Sequence, residues 1–133
     1  TTDFTQTTGT LQINATGNNS SYTGAIKGGG ALTKLGSSTL TLSGTNTYTG
    51  NTTISAGTLT IGGSGSIESG IYDGTIAING TSFIYASSTN QVLSGVISGD
   101  GALTKQGSYI NIIRCKYLYW GYINFSWSIK SSK

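Results

Sequence analysis

The chain has 133 residues, enough for one modest domain; only 8% are charged and 35% are hydrophobic, so it is neither a disordered polymer nor an ordinary charged globule. The net charge of +3 is local: residues 1–107 hold Lys27, Lys34 and Lys105 against Asp3, Glu68, Asp73 and Asp100, whereas residues 108–133 hold Arg114, Lys116, Lys130 and Lys133 and no acid. A basicity confined to one end gives no nucleic-acid footprint, and a lone Cys115 with no His excludes an internal disulfide and a cysteine-based zinc centre.

Residues 1–20 contain no charged segment followed by an apolar run, so no signal peptide is read there, and no stretch approaches the ~20 apolar residues of a membrane helix. The first patterned element is Thr10-Leu-Gln-Ile13. It returns as Thr39-Leu-Thr-Leu42, Thr58-Leu-Thr-Ile61 and Thr75-Ile-Ala-Ile78. In each, the second and fourth residues are aliphatic and the others small or polar, a period-two strand with one apolar face. The starts lie 29, 19 and 17 residues apart, which is read as the coil spacing of a solenoid that buries its aliphatic stripe between neighbouring coils. Gly44-Thr-Asn46, Gly62-Gly-Ser-Gly65 and Asn79-Gly80 fall between strands and suit corners. Leu11, Ile13, Leu32, Leu40, Leu42, Ile54, Leu59, Ile61, Ile76, Ile78, Ile97 and Leu103 are expected to face inward, and almost no helix is expected.

A longer unit also repeats. Gly24-Ala-Ile-Lys-Gly-Gly-Gly-Ala-Leu-Thr-Lys-Leu-Gly-Ser37 matches Gly95-Val-Ile-Ser-Gly-Asp-Gly-Ala-Leu-Thr-Lys-Gln-Gly-Ser108 at ten of fourteen positions, at an offset of 71. The run Gly30-Ala-Leu-Thr-Lys-Leu-Gly36, then Thr39-Leu-Thr-Leu-Ser-Gly-Thr-Asn-Thr-Tyr-Thr-Gly50, then Asn51-Thr-Thr-Ile-Ser-Ala-Gly-Thr-Leu59, closely resembles the passenger-associated transport repeat of autotransporters. The resemblance covers one nearly complete repeat, residues 28–61, and a second copy that begins at Gly95 and breaks off near Ser108. It rests on Leu32, Thr33, Lys34, Gly36, Leu40, Leu42, Gly44, Asn46, Tyr48, Gly50, Gly57 and Leu59, and in the second copy on Leu103, Thr104, Lys105 and Gly107. It implies an all-β fold, a right-handed parallel β-helix, exported to the bacterial cell surface through a C-terminal β-barrel translocator, with the repeat assisting export and folding. No such barrel is expected within these 133 residues, so the chain is expected to be part of a longer protein and not to insert into a membrane itself.

Residues 109–133 break the pattern: they hold both Trp, four of the eight Tyr and no Thr. Reading their codons one nucleotide later turns Trp120-Gly121 and Trp127-Ser128 into Gly and permits Asn-Thr-Tyr-Thr-Gly over 116–121. Residues 1–108 are therefore read as solenoid and 109–133 as a non-native, frame-shifted tail, poorly ordered or packed non-specifically over the last coil.

No catalytic site, metal site or cofactor is expected. Only four acids exist, Ser and Thr have no His to activate them, and the clustered acids with Arg or Lys of pectin-cleaving β-helices are missing. Glu68 and Asp73 are read as solvated loop charges, and Lys34 and Lys105 as surface lysines. Gly99-Asp100-Gly101 supplies too few oxygens for calcium. The Thr39-x-Thr41 and Thr58-x-Thr60 pairs resemble ice-binding arrays, but Thr10-x-Gln12 and Thr75-x-Ala77 are expected to interrupt them. Two functions stay open: a structural stalk, and an adhesive module using Tyr22, Tyr48, Tyr72 and Tyr85 on its lateral surface against host protein or glycan. An enzyme of the β-helix class is the remote third.

Overall fold

A computed structural model describes residues 3–79, 82–106, 110–115 and 123–124. The short alternating segments form strands: β1 Phe4–Thr5, β2 Thr10–Asn14, β3 Ser20–Tyr22, β4 Ile26–Lys27, β5 Ala31–Leu35, β6 Thr39–Leu42, β7 Thr45–Asn46, β8 Thr52–Ile54, β9 Thr58–Ile61, β10 Ser66–Ile67, β11 Ile71–Tyr72, β12 Ile76–Ile78, β13 Ser82–Tyr85, β14 Gln91–Ser98, β15 Ala102–Lys105, β16 Ile110–Cys115 and β17 Ile123–Asn124. Among the described residues the single helical element is a 3-10 turn at Glu68–Gly70.

Every pairing is parallel, and the strands stack into a β-solenoid of about five turns. One face runs β2, β5, β8, β12, β14; β11 and β16 also pair with β14. A second face runs β3, β6, β9, β13, β15, β17. The third is narrow, with β1 beside β4 and β7 beside β10. Parallel strands cannot be joined by a tight hairpin, so the chain must travel around the other faces before it returns.

The inward residues line up in rows. On the second face Leu40, Leu59, Phe83 and Leu103 stack in register, and beside them Leu42, Ile61, Tyr85 and Lys105. On the first, Leu32, Thr52, Ile76 and Ile97 stack, and Ile13, Lys34, Ile54 and Ile78. Of the twelve residues expected inside, ten are buried, while Leu11 and Ile13 pack half-buried at the first coil. Burying each such side chain stabilises by roughly 1.5–3 kcal/mol. Ile26, Tyr48, Ile67, Tyr72, Phe83, Tyr85 and Leu93 are also buried in the core.

Two readings of the repeat spacing are corrected. Thr39 pairs with Thr58 and Thr58 with Ser82, so a coil takes 19 residues in one case and 24 in the next, the longer coil carrying the 3-10 turn and β11. The spacings of 29 and 17 are not coil lengths: Thr10-Leu-Gln-Ile13 and Ile76-Ala-Ile78 lie on the first face, the other two patterns on the second. Nor do the two longer copies superpose. Leu32 lies on the first face and Leu103 on the second, because Ile26–Lys27 forms part of the narrow face whereas Ile97 and Ser98 belong to the eight-residue β14 of the first.

Most of the tail, and with it the expectation of a frame-shifted, poorly packed segment, lies outside the described residues, as does Gly107. The two stretches that are described continue the stack: β16 pairs with β14, and β17 with β15.

Candidate functional site

The repeat-motif residues meet in the interior. Lys34 stands in a row of aliphatics and is fully buried. Its stem fills the row, and its ammonium turns to the corner, donating to the carbonyls of Leu35 (2.7 Å), Gly36 (2.7 Å) and, in the next coil, Ala56 (3.2 Å). An ammonium has three protons, so all its donors are used. Burial lowers the Lys34 pKa, and that of Lys105 likewise. Both lysines are corrected here from surface to interior, since Lys105 is only 4% exposed and stacks beside Tyr85. The corner itself requires glycine. Gly36 has φ +80°, and a Cβ there would lie 2.3 Å from the Ala15 carbonyl oxygen; Gly57 repeats the conformation one coil on, with φ +66°.

On the narrow face Asn46 is fully buried and joins three coils. Its Oδ1 accepts from the Ile26 N–H at 3.0 Å, and its Nδ2 donates to the Gly44 and Ser66 carbonyls, both at 3.1 Å. Gln91 repeats the device further along, accepting from the Ile67 N–H at 2.9 Å and donating back to the Ile67 carbonyl at 3.0 Å. Side-chain amides thus stand in for backbone partners at Ile26, Ser66 and Ile67, where the chain swings away from a ladder.

Beside this face lies a chain of hydroxyls. The Tyr72 hydroxyl donates to the Gly50 carbonyl. Each hydroxyl has one proton, so Thr52 must donate to Tyr72 (2.9 Å) and Tyr48 to Thr52 (2.7 Å). The two rings meet edge-on with centroids 5.8 Å apart. Burial, then the neighbouring Tyr72, raises the Tyr48 pKa far above the ordinary phenol range; burial raises Tyr72 as well. Tyr48, Tyr72 and Tyr85 are fully buried, which removes them from the expected lateral binding surface; Tyr22 is half-buried against the core.

The remaining motif residues fall into place around these. Leu32, Leu40, Leu42, Leu59 and Leu103 are core; Thr33 and Thr104 are half-buried on the outward side of their strands. The outward row of the second face runs Ser21, Thr41, Thr60, Ile84, Thr104, and a parallel row Thr39, Thr58, Ser82, Ala102. Thr10-x-Gln12 and Thr75-x-Ala77 do not interrupt it, since they lie on the other face; Ile84 and Ala102 do.

The Glu68 reading is also corrected. Glu68 is half-buried, its Oε1 is buried without a hydrogen-bond partner, and both Glu68 and Ser69 hold left-handed backbone (φ 47° and 52°). Burial, then the nearby Asp73 charge, raises its pKa above 4.5. A raised folded-state value gives stability that is complete below the unfolded value and is lost as pH rises through the folded one. Glu68→Gln is therefore expected to raise the melting temperature at neutral pH and to flatten the decline between pH 4.5 and neutrality, checked by melting curves of both proteins across that range.

Among the described residues no three His, Cys, Asp or Glu side chains gather to hold a metal ion, and no helix is long and apolar enough to cross a membrane. Asn46 lay within the recognised motif; Thr52 and Gln91 escaped sequence reasoning, and Tyr72 was expected on the outer surface, not inside. One signal existed: Tyr48 and Tyr72 are 24 residues apart, the length of the longer coil.

Residues 32–61 match the family described as the passenger-associated transport repeat. A stretch of 48 residues, 36% of the chain, is 52% identical to the protein named adhesin BmaC autotransporter of Brucella suis biovar 1 (strain 1330). The chain spans about 1% of the length of that relative. No solved structure matches. The chain thus carries, on a β-solenoid, the repeat of autotransporter passengers, the part of such proteins that is exported to the cell surface or released from it.

Proposed function

We propose that this chain is a non-catalytic stretch of passenger stalk whose repeat helps the passenger fold as it crosses the outer membrane. One observation carries the reading: the buried polar side chains of the repeat reach from coil to coil. Asn46 links Ile26 to Ser66 and Lys34 reaches Ala56, while Gly50 of the repeat accepts from Tyr72 of the following coil. A coil without its neighbour leaves these groups unpaired, so each folded coil favours the addition of the next, and folding can advance from one end. The partner in the parent protein is a C-terminal β-barrel translocator. Residues 1–108 are the native solenoid sequence in this reading and 109–133 a shifted-frame tail, even though its described strands β16 and β17 continue the stack; the nucleotide sequence would decide. Neither nucleic acid nor membrane insertion enters the function.

The test is surface display. The chain is fused ahead of a bacterial autotransporter barrel, and protease-accessible passenger is measured for the parent, Asn46→Leu and a deletion of residues 32–61. Both changes are expected to lower the surface fraction while total synthesis is unchanged. Unchanged display of the deletion would end the proposal.

The name of the similar Brucella protein, an adhesin, favours a second reading in which the outward Ser/Thr rows contact host protein or glycan. Binding of the isolated chain to host cells, lost when Thr41 and Thr60 become Lys, would support it.

A further inference from the structure

The longer coil carries a segment that the core grips at both ends and not between. Ile67 is fully buried, and its N–H and carbonyl are both bonded to the Gln91 side chain. Tyr72 is fully buried too, its hydroxyl on Thr52 and the Gly50 carbonyl. Between these anchors no residue of the 3-10 turn Glu68–Gly70 is buried, and Ile71 is 64% exposed. Apolar packing therefore does not hold the turn down, and its backbone resists it, since Glu68 and Ser69 are consecutive non-glycine residues at positive φ. Polar contacts close it. The Ile71 N–H donates to the Glu68 carbonyl, and the Glu68 carboxyl meets Asp73 across the turn. The Glu68 Oε1 is buried and without a partner. As a carboxylate, Glu68 puts charge on that oxygen opposite a second acid; as a carboxylic acid, it has a proton to donate to Asp73. Strands β7 and β10, which pack against the turn, bring only Thr45, Asn46, Ser66 and Ile67, none of which titrates. Strand β11 brings Tyr72, whose phenol burial keeps protonated throughout the range below.

We propose that Glu68–Ile71 is a proton-operated strap: a proton shared between the Glu68 and Asp73 carboxyl groups holds it closed, and loss of that proton releases it. On release the turn leaves its left-handed backbone, Ile71 lifts away, and the edge of β14 at Val92, with which Ile71 is in register, is bared. Ile67 and Tyr72 stay seated, so the stack on either side is undisturbed. The sign follows from the closed geometry. Burial, then the Asp73 charge, raises the Glu68 pKa in the closed strap, whereas the open strap gives Glu68 its ordinary value. The open form thus binds fewer protons. Opening grows as pH rises from 4.5 to the closed-state value, by up to about tenfold per pH unit, and is constant beyond.

Amide hydrogen exchange of the full chain tests it, followed from pH 4.5 to 7.5 and corrected for the intrinsic pH dependence of exchange. Protection of the Ile71 amide is expected to fall as pH rises, while amides of Thr39–Leu42 and Thr58–Ile61 keep theirs. Glu68→Gln cannot ionise and still has an N–H to donate to Asp73, so its Ile71 protection is expected to stay high and flat across the range. Asp73→Ala removes the other half of the shared proton, and is expected to leave Ile71 weakly protected even at pH 4.5. Circular dichroism checks that both variants fold; should either fail, exchange on the unaltered chain decides alone. Constant Ile71 protection in the parent would overturn the proposal. So would a fall that Glu68→Gln shares, or one that runs in parallel through every coil, since the latter is unfolding of the whole stack.

Discussion

Lys34→Ala is expected to destabilise the protein by about 3–5 kcal/mol, as much as truncating a buried leucine of the repeat motif. Two losses combine. Removing the stem opens a cavity in the row between Ile13 and Ile54. Removing the ammonium leaves the Leu35, Gly36 and Ala56 carbonyls without the donor they share. Lys34→Met separates the two: it keeps the apolar stem and loses only the donors, and is expected to cost about 1–3 kcal/mol. Urea unfolding followed by circular dichroism reads both. A surface lysine would give values within about 0.5 kcal/mol of the parent for both variants, and that outcome would refute the corner role.

Alkaline pH is expected to unfold the protein steeply. Tyr48 and Tyr72 keep their protons when folded because their hydroxyls are buried, and release them near pH 10 when unfolded. A raised folded-state pKa gives stability that is complete below the unfolded value and drains away above it. These two groups contribute a loss of about 2.7 kcal/mol per pH unit once both ionise in the unfolded chain, and Tyr85, whose pKa burial also raises, adds to it in the same sense. Lys34 acts in the opposite sense, because its pKa is lowered on folding: its contribution to stability rises with pH up to 10.5 and is constant beyond. The tyrosine loss therefore dominates above that value. Urea midpoints measured through this range should fall together with the appearance of tyrosinate absorbance. Tyrosinate forming while the strand signal stays intact would show that the phenols ionise in place, and would remove the buried hydroxyl chain from the account. Tyr72→Phe breaks that chain at its acceptor end and is expected to reduce the fall by about 1.4 kcal/mol per pH unit.

The strands and their inward faces were legible because a period of two is a local property. Leu40, Leu42, Leu59 and Ile61 alternate with threonines, and any solenoid of such segments buries the aliphatic side. Residues 32–61 also spell out a family repeat, so the kind of protein was readable before any coordinate. The stacking of coils was not, since it depends on how many residues the corners consume. A 3-10 turn at Glu68–Gly70 and the long β14 shift the faces, so identical words at Leu32 and Leu103 end on different sheets.

Amino-acid type by itself determined an all-β solenoid with rows of branched aliphatics, because alternation and glycine corners act within a few residues. Tertiary structure alone decided the fate of the polar residues. Lys34, Asn46, Tyr48, Thr52 and Tyr72 look like surface residues when judged by transfer from water, yet all five are buried. Tyr48 bonds to Thr52 close by in the chain, but Lys34, Asn46, Thr52 and Tyr72 each draw a hydrogen-bond partner from a neighbouring coil some twenty residues away in sequence, and a distance of that kind is set by stacking.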